Sequence, residues 1–145
     1  MPRWSQRNLQ RHYNRHPGGK DKDCWMDVLG KSQLVTVQEY EQTSLDVVND
    51  CWLCYQAEES DPYDPDFGYY PRRTYFVDDR ILKTVTDANQ QWIVTCYHEH
   101  YDRPHEFSKN QRVPLEQRRL EFKKHLEWDE QGLMIQNLKV LRDET

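Results

Sequence analysis

Between residues 36 and 68 the chain has no lysine or arginine, while nine Asp and Glu side chains crowd the same block. Long apolar runs are also missing, and the mean hydropathy is −1.11. Nothing approaches the ~20 apolar residues that a bilayer-spanning helix needs, so no membrane association is expected. Residues 1–10 lack the apolar core of a signal peptide. Cysteine is scarce, four residues at irregular spacing. That is too few for a disulfide scaffold, and the expected compartment is reducing and cytoplasmic. There is no internal repeat and no low-complexity tract.

The chain of 145 residues fits a single domain, 1–145. Hydrophobic residues are 36% and charged residues 31%, so the aromatic side chains must supply much of the core area. The net charge of −5 argues against a generic nucleic-acid binder. Its distribution is uneven, because residues 1–22 hold six Lys or Arg against one acid. That basic end attracts phosphate. The acidic block either faces a basic partner, covers the basic end, or is simply a solvated helix face.

Periodicity predicts a helical part over 1–56, an acidic loop over 57–68, a strand meander over 69–101, and a C-terminal helix and tail over 113–145. Residues 2–15 read as a helix with Arg7, Arg11 and Arg15 as a basic ridge, ended by Pro17-Gly18-Gly19. Residues 20–31 suggest a short helix closed by Gly30. The strongest helix is predicted over 36–56, where Thr36 and Glu39 form a capping box. Its apolar stripe runs through Tyr40, Val47, Cys51, Cys54 and Tyr55. Three short strands are expected at 69–77, 80–86 and 91–97. A helix over about 113–130 and a last strand or docking tail over 133–141 close the chain. The expected class is α+β, with helices packed on a small antiparallel sheet.

Four constellations carry chemistry. In His12-Tyr-Asn-Arg-His16, an imidazole titrating near neutrality can act as a general base, and Arg15 can hold a phosphate. The competing reading is a surface helix with ordinary histidines. In the meander, Lys83, Thr95 and Tyr97 offer a cation and hydroxyls for a phosphorane, if strand register aligns them. Arg72, Arg73, Thr84 and Thr86 add phosphate-binding groups nearby, Thr84 and Thr86 on the face opposite Lys83. The competing reading is the ordinary polar face of an antiparallel sheet. Cys51 and Cys54 have a C-x-x-C spacing, but no second pair exists and both lie on an apolar stripe, which favours packing. His98, His100 and His105 can approach a metal, yet no spaced carboxylate completes a ligand set.

The stretches LQRHYNRH (9–16), VQEYEQTSLDVVND (37–50) and RTYFVDDRILKTVTDANQQWIVTCYH (73–98) together resemble, in layout, the Barnase–EndoU–colicin–RelE superfamily of metal-independent ribonucleases. Such enzymes are common among bacterial toxins and their phage relatives. The resemblance implies RNA cleavage through a 2′,3′-cyclic phosphate, without a cofactor or metal. It matches His12 or His16 to the helix histidine, Lys83 and Thr95 to the phosphate-contacting groups, and Tyr97 to the aromatic that stacks a base or donates a proton. Arg11, Arg15, Arg72, Arg73, Thr84 and Thr86 are the expected substrate-binding residues. The acidic second helix and the segment after residue 112 depart from that pattern. The expected partners are RNA, and a protein or inhibitor contacting the acidic 36–68 region or the basic N-terminal helix. The alternative is a non-catalytic interaction module that docks a partner through the acidic helix and C-terminal tail.

Overall fold

Ser5 starts the first helix by accepting the Asn8 amide on its hydroxyl at 3.2 Å. This cap satisfies an orphaned donor and opens α1, Gln6–Arg15. The structure, a computed structural model, describes residues 1–68, 71–99, 113–129 and 132–145. After α1 the chain does not stop at Pro17. It widens into a π-helical turn, His16–Lys20, with non-helical backbone at Gly19. Only glycine fits there, because a Cβ would lie 2.2 Å from the Asn14 carbonyl oxygen. The turn leads into α2, Lys22–Val28, which buries Cys24, Trp25 and Val28.

The capping box at Thr36 is present. The Thr36 hydroxyl accepts the Glu39 amide at 3.1 Å, and Glu39 Oε1 accepts the Thr36 amide at 2.9 Å. It opens α3, Val37–Asp50. The predicted helix over 36–56 is therefore too long. Cys51 is extended (φ −65°, ψ 138°), and Leu53–Ser60 forms strand β1, which also takes the first four residues of the predicted loop. The physical reason is position. β1 lies inside the sheet and is largely buried, and its opening residues Leu53, Cys54 and Tyr55 are apolar, so they extend the helical stripe in the sequence. Asn49 and Asp50 favour ending the helix.

The meander follows as β2 (Arg73–Val77), β3 (Leu82–Asp87) and β4 (Ile93–His98). Residues 69–70 of the expected first strand lie outside the described residues. Helix α4 is Leu115–Lys124, shorter than expected, and the last strand β5 is Met134–Asp143. The five strands pair antiparallel in the order β4-β3-β2-β1-β5. The fold is α+β.

Each face of the sheet has its own core. On one, Phe76, Leu82 and Cys96 meet Trp4, which precedes α1, and Leu9, Trp25, Tyr40 and Val47 from the N-terminal helices. On the other, Tyr55, Tyr75, Val85 and Tyr97 pack with Trp52 and with Phe122 of α4. Among the described residues, no helix is long and apolar enough to cross a membrane.

The outer edge of β4 positions α1. An exposed edge presents unpaired backbone groups. Here the Arg3 amide donates to the Gln91 carbonyl at 3.1 Å, and the Ile93 amide donates to the Arg3 carbonyl at 2.8 Å. Asn8 Nδ2 donates to the carbonyls of Ile93 and Val94 at 3.1 and 2.9 Å. The Tyr40 hydroxyl donates to the Cys96 carbonyl at 2.8 Å and accepts its amide at 3.2 Å. The Arg3 and Asn8 contacts fix the start of the chain and α1 along β4, and Tyr40 ties α3 to the same strand.

Candidate functional site

One helical turn beyond Asn8 is His12, and one turn further is His16. Their rings stack, with centroids 6.0 Å apart and planes inclined by 19°. The His16 ring centroid lies 6.1 Å from that of Tyr97. The two histidines line a cavity of about 260 Å³ with Asn8, Arg11 and Arg15 of α1. Val85, Val94, Thr95 and Tyr97 supply sheet surface, and Arg73, Glu59 and Asp129 complete the lining. Of the expected catalytic residues, the cavity brings together His12, His16, Thr95 and Tyr97; of the expected substrate-binding residues, it gathers Arg11, Arg15 and Arg73.

His16 is the best-oriented group. Its Nδ1 lies 2.8 Å from Asp21 Oδ2, and its Nε2 lies 3.4 Å from Thr95 Oγ1. A carboxylate against Nδ1 fixes the proton there and leaves Nε2 as the acceptor, facing the cavity wall. Asp21 stands at the N-cap position of α2, yet its side chain caps no amide of that helix. It serves the histidine instead. The Asp21–His16–Thr95 series is the arrangement of an aligned general base.

His12 differs. Its basicity is pushed down to about 4, first by burial and then by coupling to the neighbouring His16 and by the positive charges of Arg15, Arg11 and Arg73. Its Nδ1 is buried and makes no hydrogen bond among the described residues. The guanidinium groups of Arg11, Arg15 and Arg73 around it supply the positive charge that an anion site requires.

Lys83 does not reach this cavity. It pairs across the sheet with Tyr97, on the face opposite Thr84 as alternation predicted, but its side chain is only 1% exposed. Its Nζ lies 3.4 Å from Glu99 Oε2 and 5.4 to 5.8 Å from the ring centroids of Tyr55, Tyr75, Tyr97 and Phe122. Burial alone would lower its pKa, but the Glu99 carboxylate raises it on balance and holds the ammonium charged. The expected direct contact from Lys83 to a substrate phosphate is therefore corrected. Lys83 is a buried structural cation beneath the site.

Three other expected contacts also fall elsewhere. Arg72 Nη1 donates to the Asn137 carbonyl at 3.1 Å. The Thr84 hydroxyl donates to the Ser44 carbonyl of α3 at 2.9 Å, and the Thr86 hydroxyl donates to the Asp87 carbonyl at 2.9 Å. None of the three lines the cavity. Strand alternation turns Thr84 and Thr86 toward the α3 side. His98 is buried, while His100 and His105 lie outside the described residues. Among the described residues, no group of three His, Cys, Asp or Glu is placed to hold a metal. Cys51 and Cys54 are buried thiols in the α3-side core, and burial pushes Cys54 up to about 12.

The residues that sequence reasoning missed are Asn8, Asp21, Glu59 and Asp129. Asp21 follows His16 by five residues across a Pro-Gly-Gly turn, a spacing that could have signalled it. Glu59 and Asp129 had no local signal, since only tertiary folding brings them to the cavity. Glu59 Oε1 accepts the Tyr75 hydroxyl at 2.8 Å. Asp129 Oδ1 accepts the Leu133 amide at 2.7 Å. Burial, together with the negative charge of Glu59, pushes the Asp129 carboxyl up to about 7.

No protein-family model matches this chain, and no curated protein or solved structure matches it either.

Proposed function

We propose that this protein is a metal-independent ribonuclease that cleaves RNA by internal attack of the ribose 2′-hydroxyl. The observation that carries the reading is the His16 imidazole, oriented by Asp21 and presenting Nε2 beside Thr95 in a cavity lined by three arginines. His16 Nε2 takes the 2′-hydroxyl proton. The 2′-oxygen bonds to phosphorus, the bond to the 5′-oxygen breaks, and a 2′,3′-cyclic phosphate forms. Arg11, Arg15 and Arg73 oppose the charge that grows on the equatorial oxygens, a role that fixed cations fill without reorganisation. Thr95 turns its hydroxyl from His16 to a phosphate oxygen when substrate enters. The basic and general-base groups lie on the parts of the chain that carry the layout resemblance to the Barnase–EndoU–colicin–RelE superfamily.

The test is cleavage of single-stranded RNA in EDTA by the wild-type chain and by His16→Asn. The reading expects cleavage by the wild type and a loss of at least ~10²-fold in the variant, the usual scale for removing a general base. Equal activity in both proteins would overturn the assignment of His16. No cleavage by the wild type at any pH would overturn the ribonuclease reading and return the function to an interaction module.

A further inference from the structure

The cavity has two chemically different sides. His16 approaches from α1, resting on Thr95 of the edge strand β4. Glu59 belongs to β1, three strands away in the sheet, and Asp129 to the segment between α4 and β5. An arginine-lined anion site would ordinarily be weakened by two carboxyl groups in its wall. Their presence needs an account, because a phosphate alone gains nothing from them.

We infer that Asp129 is the general acid of this site, protonating the 5′-oxygen as it departs. The inference rests on the ribonuclease reading above and deepens it. In-line displacement places the attacking and leaving oxygens on opposite sides of phosphorus, so the proton acceptor and the proton donor must come from different walls. Asp129 meets that need. Its Oδ1 accepts the Leu133 amide at 2.7 Å, and its own amide donates to the Leu133 carbonyl at 2.9 Å, which together fix the carboxyl's direction. It is 9% exposed and lines the cavity.

The surroundings keep a proton on Asp129. Burial comes first, Glu59 from β1 and Glu99 beyond β4 face it with negative charge, and the Leu133 amide and the buried Lys83 of β3 pull the other way. The carboxyl is thus held near neutrality, where an acid is most effective. Arg73, Arg15 and His16 line the same cavity, on the side assigned to the phosphate. The alternatives are poorer. Glu59 is fixed as an acceptor by the Tyr75 hydroxyl. His12 carries too little proton at neutral pH, with its basicity near 4. The step balances. His16 gains the 2′-hydroxyl proton, Asp129 loses one to the 5′-oxygen, and solvent restores both before the next turnover.

The experiment compares two dinucleotides, one with the natural 5′-oxygen bridge and one with sulfur in that position. A thiolate leaves without being protonated. Asp129→Asn should slow cleavage of the oxygen substrate by ~10²-fold and of the sulfur substrate by less than about threefold. His16→Asn should slow both. In the wild type, the alkaline fall in rate should appear with the oxygen substrate and vanish with the sulfur substrate. That comparison needs no variant, so an alkaline limb with both substrates overturns the assignment even if Asp129→Asn fails to fold. Equal slowing of both substrates by Asp129→Asn, or an alkaline limb present with both, would overturn the assignment while leaving the ribonuclease reading intact. A wild type that cleaves neither substrate would instead overturn that reading.

Discussion

The Asp21 carboxylate sits at a helix N-cap and bonds His16 Nδ1 at 2.8 Å, leaving the α2 amides without a side-chain cap. A cap of this kind is typically worth ~1 kcal/mol to a helix. Forgoing it to orient a histidine marks a position where local stability yields to the site. Asp21→Asn should therefore leave thermal stability nearly unchanged. It should reduce RNA cleavage by ~10- to 100-fold, because the imidazole loses its fixed tautomer and orientation. Melting curves and initial rates measured on the same preparation check both halves.

Gly19 makes that contact geometrically possible. Any side chain there meets the Asn14 carbonyl oxygen, since a Cβ would lie at 2.2 Å. Gly19→Ala should force the π-helical turn to shift, at a cost of ~1–3 kcal/mol from the clash. The shift should separate Asp21 from His16. A lower melting temperature accompanied by reduced cleavage is expected. An unaffected melting temperature would show that the turn relaxes freely.

Lys83 and Glu99 test how the buried floor is built. Lys83→Met leaves Glu99 unpaired in a closed aromatic environment and should cost ~3–5 kcal/mol, whereas a Lys83→Met, Glu99→Leu double variant should recover most of it. Urea unfolding of the three proteins gives the comparison. The sign with pH follows from Lys83 being raised above 10.5 in the fold. Its contribution is complete below that value and is lost only as pH rises through the higher folded one. No stability should be lost from Lys83 itself between pH 6 and 9.

His12 gives the opposite sign. Its folded basicity near 4 lies below the ordinary 6.5, so between those values the unfolded chain binds the proton that the folded chain refuses. Stability from this group is present above 6.5 and is lost as pH falls toward 4. Proton NMR titration of His12 should find its midpoint near 4 in the ligand-free protein and higher on addition of inorganic phosphate. A midpoint that ignores phosphate would contradict an anion site beside Arg11 and Arg15.

Much of this arrangement could be read from residues. Thr36 and Glu39 announced a helix start, and Thr84 against Lys83 announced opposite faces, because both signals are local and periodic. His12, His16, Arg11 and Arg15 were legible because one helix face collects them. The end of α3 was not, since buried β1 continues the apolar pattern that a helix would show. Lys83 misled for a related reason. A lysine on a strand reads as solvent-facing until Tyr55, Tyr75, Tyr97 and Phe122 are known to close over it. Glu59 and Asp129 reach the cavity through tertiary folding alone, without a motif to signal them.

The most direct test of the central claim uses a DNA oligonucleotide carrying one ribonucleotide, incubated with the protein in EDTA. Internal 2′-hydroxyl attack predicts a single cut, on the 3′ side of that ribonucleotide, and a 2′,3′-cyclic phosphate visible by mass spectrometry as a product one water lighter than the linear phosphate. Cutting at deoxyribonucleotides, or a 3′-hydroxyl end at the ribonucleotide, would contradict the account, and so would an intact oligonucleotide under conditions in which the protein is folded.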